Sequence, residues 1–234
     1  MLSPYFERNG IQIYCGDCRD ILPNLPKSDL IITDPPYGVD YDGGTTLREK
    51  IAGDFNANMY RDVLPIIRKN AKDDAAFYIF YADGDAQIVI EVFSAVLKAG
   101  LIVRNNLIWN KSMAQFGALS AQYKQKHEPF LYCHIRGKSP KWRGETNETT
   151  VWDFKRASSN NFHPTQKPVG LIEKCIMNSS DRDDIVCDPF MGGGTTLVAA
   201  KLLGRKAVGI EINESYCETA AFRLSQEVLN FDDV

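Results

Sequence analysis

The chain reads as an α/β protein with a mostly parallel sheet, and three observations carry that reading. Asp29 to Thr33 (DLIIT) is a short apolar run that passes directly into Asp34-Pro35-Pro36-Tyr37. Asp184 to Cys187 (DIVC) is a second, and it passes into Asp188-Pro189-Phe190-Met191-Gly192-Gly193-Gly194-Thr195. After that loop come a helix from Thr195 to Leu203, a strand from Lys206 to Ile210 (KAVGI) and then Glu211. Loops just past the carboxyl ends of strands are where open α/β sheets bind ligands. Two such loops of unusual chemistry imply two reactants held face to face.

Ile13-Tyr14-Cys15-Gly16-Asp17-Cys18, followed by Ile21 and Leu22, is the earliest distinctive segment. Cys15 and Cys18 spell a C-x-x-C, but a zinc ribbon needs a second such pair. None exists among Cys133, Cys175, Cys187 and Cys217, so no metal site is expected.

The tetrapeptide from Asp34 to Tyr37 suits work on an exocyclic base amine. Such a nitrogen is a poor nucleophile because its lone pair is delocalised into the ring. A carboxylate (Asp34) and a backbone carbonyl (Pro35) accepting its two N–H groups would free that lone pair. Consecutive prolines stiffen the loop and keep both acceptors aimed. Tyr37 offers a flat face for stacking an extruded base. The same four residues also make good turn chemistry.

Ala76 to Tyr81 (AFYIFY), Arg104 to Lys111 (RNNLIWNK) and His127 to Tyr132 (HEPFLY) read as further strands. His127 is expected to be structural or close to nucleic acid rather than catalytic. His163-Pro164-Thr165-Gln166-Lys167-Pro168 precedes a helical stretch from Val169 to Asn178. Its prolines hold the preceding residues extended, leaving Thr165, Gln166 and Lys167 as polar groups at a helix start. In the second loop the glycines permit close backbone approach, and Glu211 stands where an acid can hold ribose hydroxyls. Gly204 is the expected glycine after the helix. A nicotinamide fingerprint needs a third glycine at the position of Leu197, so this loop departs from that pattern.

Taken in order, these four motifs resemble the β group of the DNA amino-methyltransferases, and the resemblance runs along most of the chain. It implies a Rossmann-like, S-adenosylmethionine-dependent methyltransferase fold in one domain over 1–234. The sheet would be seven-stranded and mostly parallel, flanked by helices, with one antiparallel edge pairing and a circularly permuted motif order. It implies a catalytic role for Asp34, Pro35, Pro36 and Tyr37. Cofactor contacts would come from Asp17, Cys18, Asp34, Thr165, Lys167, Phe190, Gly192, Gly194, Thr195, Glu211 and Ile212. S-adenosylmethionine carries no pyrophosphate, which agrees with the missing third glycine. The reaction implied is direct methyl transfer to a flipped base. Adenine N6 is favoured because Asp opens the tetrapeptide, whereas cytosine-N4 enzymes more often open it with Ser. Cytosine N4 and a catalytically silent nucleic-acid-binding subunit are the alternatives.

The 27 Lys and Arg against 30 Asp and Glu give a net charge of −3, which conceals a division. Between Arg104 and Arg143 eight bases face one acid, Glu128, or +7; from Ser179 onward five bases face ten acids, or −5. A basic stretch is the footprint expected against phosphates. Lys124, Lys126, Arg136, Lys138, Lys141 and Arg143 are therefore the expected DNA contacts, beside the Asp34 loop on double-stranded DNA. Residues 136–162, with Trp142 and Trp152, occupy the family's place for target recognition. That region is short, which implies modest stringency or a partner chain such as a restriction endonuclease or a second copy. Residues 39–58, with Gly43 and Gly44, are a loop able to close over substrate. Six scattered cysteines, no signal-peptide pattern and no membrane-length apolar run are expected of a cytoplasmic protein.

Overall fold

Burial, residue by residue, explains where the central strands form. The computed structural model describes residues 2–36, 58–112, 123–156 and 166–226. Its strands are β1 (Phe6–Arg8), β2 (Ile11–Cys15), β3 (Ser28–Thr33), β4 (Ala71–Phe80), β5 (Leu101–Asn110), β6 (His127–Ile135), β7 (Val151–Asp153), β8 (Ile185–Asp188) and β9 (Lys206–Glu211). β3 is buried at every position, as an Ile-rich strand covered on both faces must be. Alternate side chains enter opposite cores. Leu30, Ile32, Ala76, Tyr78 and Phe80 go to one, and Ile31, Phe77 and Ile79 to the other. Each fully buried residue of this size contributes about 1.5–3 kcal/mol. The first core is closed by α4 (Val169–Ser179), α5 (Thr195–Leu202) and α6 (Glu214–Ser225), through Leu171, Leu197 and Cys217. The second is closed by α1 (Cys18–Ile21), α2 (Asn58–Lys69) and α3 (Ala86–Lys98), through Ile21, Leu64 and Val92.

Among the described residues the strands form a single sheet in the order β1-β2-β9-β8-β3-β4-β6-β5-β7. The seven expected strands are its middle, and one short strand extends each edge, making nine. β1 is the arm of a two-residue hairpin whose turn, Asn9 and Gly10, has positive φ at both positions (49° and 79°), as that turn demands. β7 is three residues long and lies parallel to the outer half of β5. Instead of one antiparallel edge pairing there are three antiparallel pairs: β1/β2, β4/β6 and β6/β5. Residue 76 is the sixth of β4, not its first, because exposed Lys72, Asp73 and Asp74 mask the strand's beginning.

The topology sets the position of the site. β8 leads through α5 on one face to β9, and β3 leads through α2 on the other face to β4. Because β3 and β8 are parallel neighbours, their outgoing loops part company at one point, the switch point of a doubly wound sheet. Those loops carry Asp34 and Asp188. Among the described residues no helix is long and apolar enough to cross a membrane.

Candidate active site

Asp34 leaves β3 half-buried, followed by buried Pro35 and intermediate Pro36. Tyr37 and Thr165, the other expected residues of these two loops, lie outside the described residues. Lys167, just before α4, donates from Nζ to Asp34 Oδ2 at 2.6 Å. Asp34 Oδ1 is buried and has no hydrogen-bond partner among the described residues. The same ammonium forms an ion pair with Glu128 Oε2 at 3.0 Å and lies 4.9 Å from the centroid of the Phe80 ring. Glu128 Oε1 in turn pairs with the buried Lys111 at 2.5 Å. Four charges from four separate segments therefore alternate in sign: Asp34, Lys167, Glu128, Lys111.

Burial raises the Asp34 carboxyl above its ordinary value, with Lys167 working against it and Glu128 adding to it. Burial alone would lower the Lys167 ammonium, but Asp34 and Glu128 reverse that and hold it high. For Glu128, burial is outweighed by Lys167 and Lys111, and its carboxyl sits below the usual range. Lys111 is lowered by burial despite Glu128. A carboxylate with one oxygen anchored and the other buried and unpartnered is an acceptor held ready for an N–H donor.

The glycine loop is built around Asp188 and Glu211. Asp188 Oδ1 accepts the Phe190 N–H at 3.1 Å, and Oδ2 accepts the Thr196 hydroxyl at 2.5 Å. Burial pushes the Asp188 carboxyl up to about 7, with Asp34 and Glu211 adding to the rise. Glu211 Oε2 accepts the Gly192 N–H at 3.1 Å and Oε1 accepts the Asn213 N–H at 2.9 Å. Its backbone carbonyl accepts from Gly16 at 2.9 Å, which ties in the end of β2. Burial raises the Glu211 carboxyl, against the three backbone N–H groups at residues 213, 192 and 212. Gly194 caps α5 at φ +78°, and a Cβ there would stand 2.7 Å from Ala220 Cβ. Only glycine allows the loop to approach α6 this closely. The Arg223 guanidinium donates to the Gly193 carbonyl.

The remaining expected cofactor residues divide. Asp17 caps α1 by accepting the Arg19 N–H at 2.8 Å and pairs with the Arg19 guanidinium, one strand away from Glu211. Thr195 opens α5 and is buried, Phe190 packs against the second core, and Ile212 is exposed beside Glu211. Cys18 is buried in the core, where its thiol is pushed up to about 12 by burial. Exposed Cys15 stands beside the largely buried Cys217 instead.

The basic stretch does not lie together beside Asp34. β6 runs antiparallel to β4, so it begins at the Asp34 end of the sheet and finishes at the other. Lys124 and Lys126, before β6, are exposed at the Asp34 end, where the Lys126 carbonyl accepts the Lys111 N–H at 2.9 Å. Arg136, Lys138, Lys141 and Arg143, after β6, are at the far end. Lys138 pairs with Asp73 at 2.7 Å, Lys141 with Asp184 at 2.6 Å and Arg143 with Asp181 at 2.8 Å. The charges of Lys138, Lys141 and Arg143 answer the acids that open β4 and precede β8, residues far from them in the sequence. Residues 136–162 likewise divide: Trp152 on β7 is core, the Trp142 ring lies tilted at 60° to Tyr132 with centroids 5.8 Å apart, and 157–162 lie outside the described residues. Glu128 and Lys111 were not expected in the site. The one usable signal was Glu128 standing as the lone acid among eight bases.

Comparison with known proteins agrees with this geometry. A family model described as DNA methylase, covering N6 and N4 methyltransferases, matches residues 28–222. The Type II methyltransferase M.HpaI of Haemophilus parainfluenzae is 30% identical over 95% of this chain and 77% of its own length. A crystal structure of the M1.HpyAVI–SAM complex aligns with TM-score 0.74 and 28% identity over 92% of this chain and all of that one. The PvuII DNA methyltransferase, which is cytosine-N4-specific, shares the fold with TM-score 0.78 at 19% identity, over 97% of this chain and 90% of its own. The chain belongs to the N6/N4 DNA methyltransferase family.

Proposed function

We propose that this chain methylates the N6 amine of adenine in double-stranded DNA, with S-adenosylmethionine as donor. The observation that carries the reading is Asp34: its anchored carboxylate, at the end of β3, adjoins the glycine loop that leaves β8. Asp34 Oδ1 and the Pro35 carbonyl accept the two N–H groups of the amine, turning its lone pair toward the electrophile. Tyr37 is the residue assigned to stack the extruded base. S-adenosylmethionine supplies an activated methyl group on a sulfonium. The residues fit its adenosine half: Gly192, the half-buried glycine of the loop, donates its N–H to Glu211, whose carboxylate is the acid suited to a ribose diol. Asp17 lies across the neighbouring strand end, where it can reach an adenine amine. Asp opening the tetrapeptide favours adenine over cytosine N4. Lys124 and Lys126 lie at the same end of the sheet and are the basic residues placed to meet phosphates there.

Mass analysis of nucleosides from DNA incubated with enzyme and labelled donor tests this. The expected product is N6-methyladenine, and Asp34→Ala should lower the transfer rate by about 10²–10⁴-fold while donor affinity holds. N4-methylcytosine as the product would overturn the base assignment. Near-normal transfer by Asp34→Ala would overturn the role of the carboxylate.

A further inference from the structure

The alternating charges behind Asp34 have a function that the tetrapeptide alone does not explain. We propose that Lys167 is a positioning residue for methyl transfer: it clamps Asp34 through Oδ2 so that Oδ1 is presented to the target amine, and Glu128, braced by Lys111, fixes where the Lys167 ammonium sits. The inference rests on the assignment of Asp34 as the amine acceptor.

Three observations support it. Lys167 Nζ lies 2.6 Å from Asp34 Oδ2, whereas Oδ1 is buried without a hydrogen-bond partner among the described residues, so the two oxygens are already distinguished. The ammonium is also ion-paired with Glu128 Oε2 at 3.0 Å, without a hydrogen bond to it, and lies 4.9 Å from the centroid of the Phe80 ring. Lys111, whose side chain is 2% exposed, holds the far oxygen of Glu128 at 2.5 Å. A lysine placed only for packing would need neither carboxylate, and burying four charges is costly unless each is paired. The pairing comes from a loop after β3, the end of β5, the start of β6 and the segment before α4. The local sequence gives no reason for those four to meet.

The charge balance at Asp34 also fixes the signs of the expected effects. The groups facing it are Lys167 and Glu128, Lys111 behind them, Asp188 from β8 and Tyr60 from α2. Tyr60 donates to the Phe80 carbonyl at 2.9 Å. Lys167 favours the ionised form of Asp34 and Glu128 opposes it. Removing the first should make Asp34 harder to ionise, and neutralising the second should make it easier.

Single-turnover methyl transfer into DNA, followed against pH with preformed enzyme–donor complex, tests the clamp. Asp34→Ala, expected to lower transfer by about 10²–10⁴-fold, tests the parent assignment separately from the clamp variants. Lys167→Met should slow transfer at neutral pH about 10–100-fold and move the acid limb of the rate profile up by about one pH unit. Lys167→Arg should restore most of the rate and the original limb. Glu128→Gln should move the limb the other way, to lower pH. Opposite movements are the signature of the clamp, and donor affinity measured by calorimetry should change less than about threefold, well under one power of ten. If Lys167→Met does not fold, the arginine and Glu128→Gln variants decide the matter by the same limb positions. A limb unmoved in Glu128→Gln, or a Lys167→Met rate loss uniform in pH, would overturn the proposal. Loss of donor affinity in place of the pH shift would assign Lys167 to the cofactor instead.

Discussion

Glu211 illustrates how one side chain couples the glycine loop to the sheet. Its two carboxylate oxygens accept N–H groups from Gly192 and Asn213, so the acid is oriented before any ligand arrives. Each oxygen keeps a further lone pair for a hydroxyl donor. Glu211→Ala should therefore weaken S-adenosylmethionine binding by about 1.5–3 kcal/mol, typical of hydrogen bonds to a charged group. Calorimetry reads this directly, and unchanged affinity would reject the ribose role. Glu211 was legible in the sequence because its signal is local: a strand, a glycine loop, a helix and an acid at fixed spacing. Asp34 was legible for the same reason. Lys111 and Glu128 were not, because their role exists only where residues 34, 111, 128 and 167 converge. No window of sequence contains that convergence.

At the scale of elements, the β8–α5 turn stores a titratable group in an unfavourable place. Asp188 is 6% exposed, and its carboxyl is pushed up to about 7 from an ordinary 3.8. The Thr196 hydroxyl and the Phe190 N–H only partly offset its burial. Between those two values the folded protein holds a proton that the unfolded chain has released. The stabilisation is complete below about pH 4 and is lost as pH rises through about 7. The melting temperature should therefore fall across that interval. Asp188→Asn, which keeps an acceptor for Thr196 without the charge, should flatten this fall; the difference between variant and parent should be on the order of 1–4 kcal/mol across the window. Parallel melting curves for the two proteins at every pH would show that Asp188 ionises freely in the fold. The strands flanking this turn were readable from their apolar runs, within one residue at each end. The short outer strands were not: β7 offers only Val151, Trp152 and Asp153, too few positions for any period.

Across the whole molecule, charge is distributed by strand direction rather than by sequence neighbourhood. The eight bases between Arg104 and Arg143 look like one patch in the sequence, but β6 carries the chain from the Asp34 end of the sheet to the opposite end in nine residues. Lys141 ends beside Asp184 at 2.6 Å, Asp181 at 3.5 Å and Asp29 at 3.8 Å, so it neutralises acids that open neighbouring strands. Of these eight, Lys111, Lys124 and Lys126 lie at the Asp34 end, and Lys111 is buried against Glu128. The DNA path should therefore depend on Lys124 and Lys126 and be indifferent to the far cluster. Each lysine that neutralises a phosphate contributes about 0.9 to the slope of log affinity against log salt. Replacing Lys124 and Lys126 with Ala should lower that slope by up to about 2 while leaving donor affinity alone. Lys141→Ala should leave the slope unchanged and instead cost about 1–3 kcal/mol of stability, because it takes the 2.6 Å partner from half-buried Asp184, while Asp29 keeps Lys72 at 2.7 Å. Salt titrations of DNA binding for both variants, read beside their melting curves, separate the two roles. A reduced slope in Lys141→Ala with none in the Lys124/Lys126 protein would move the DNA to the opposite end of the sheet, away from Asp34.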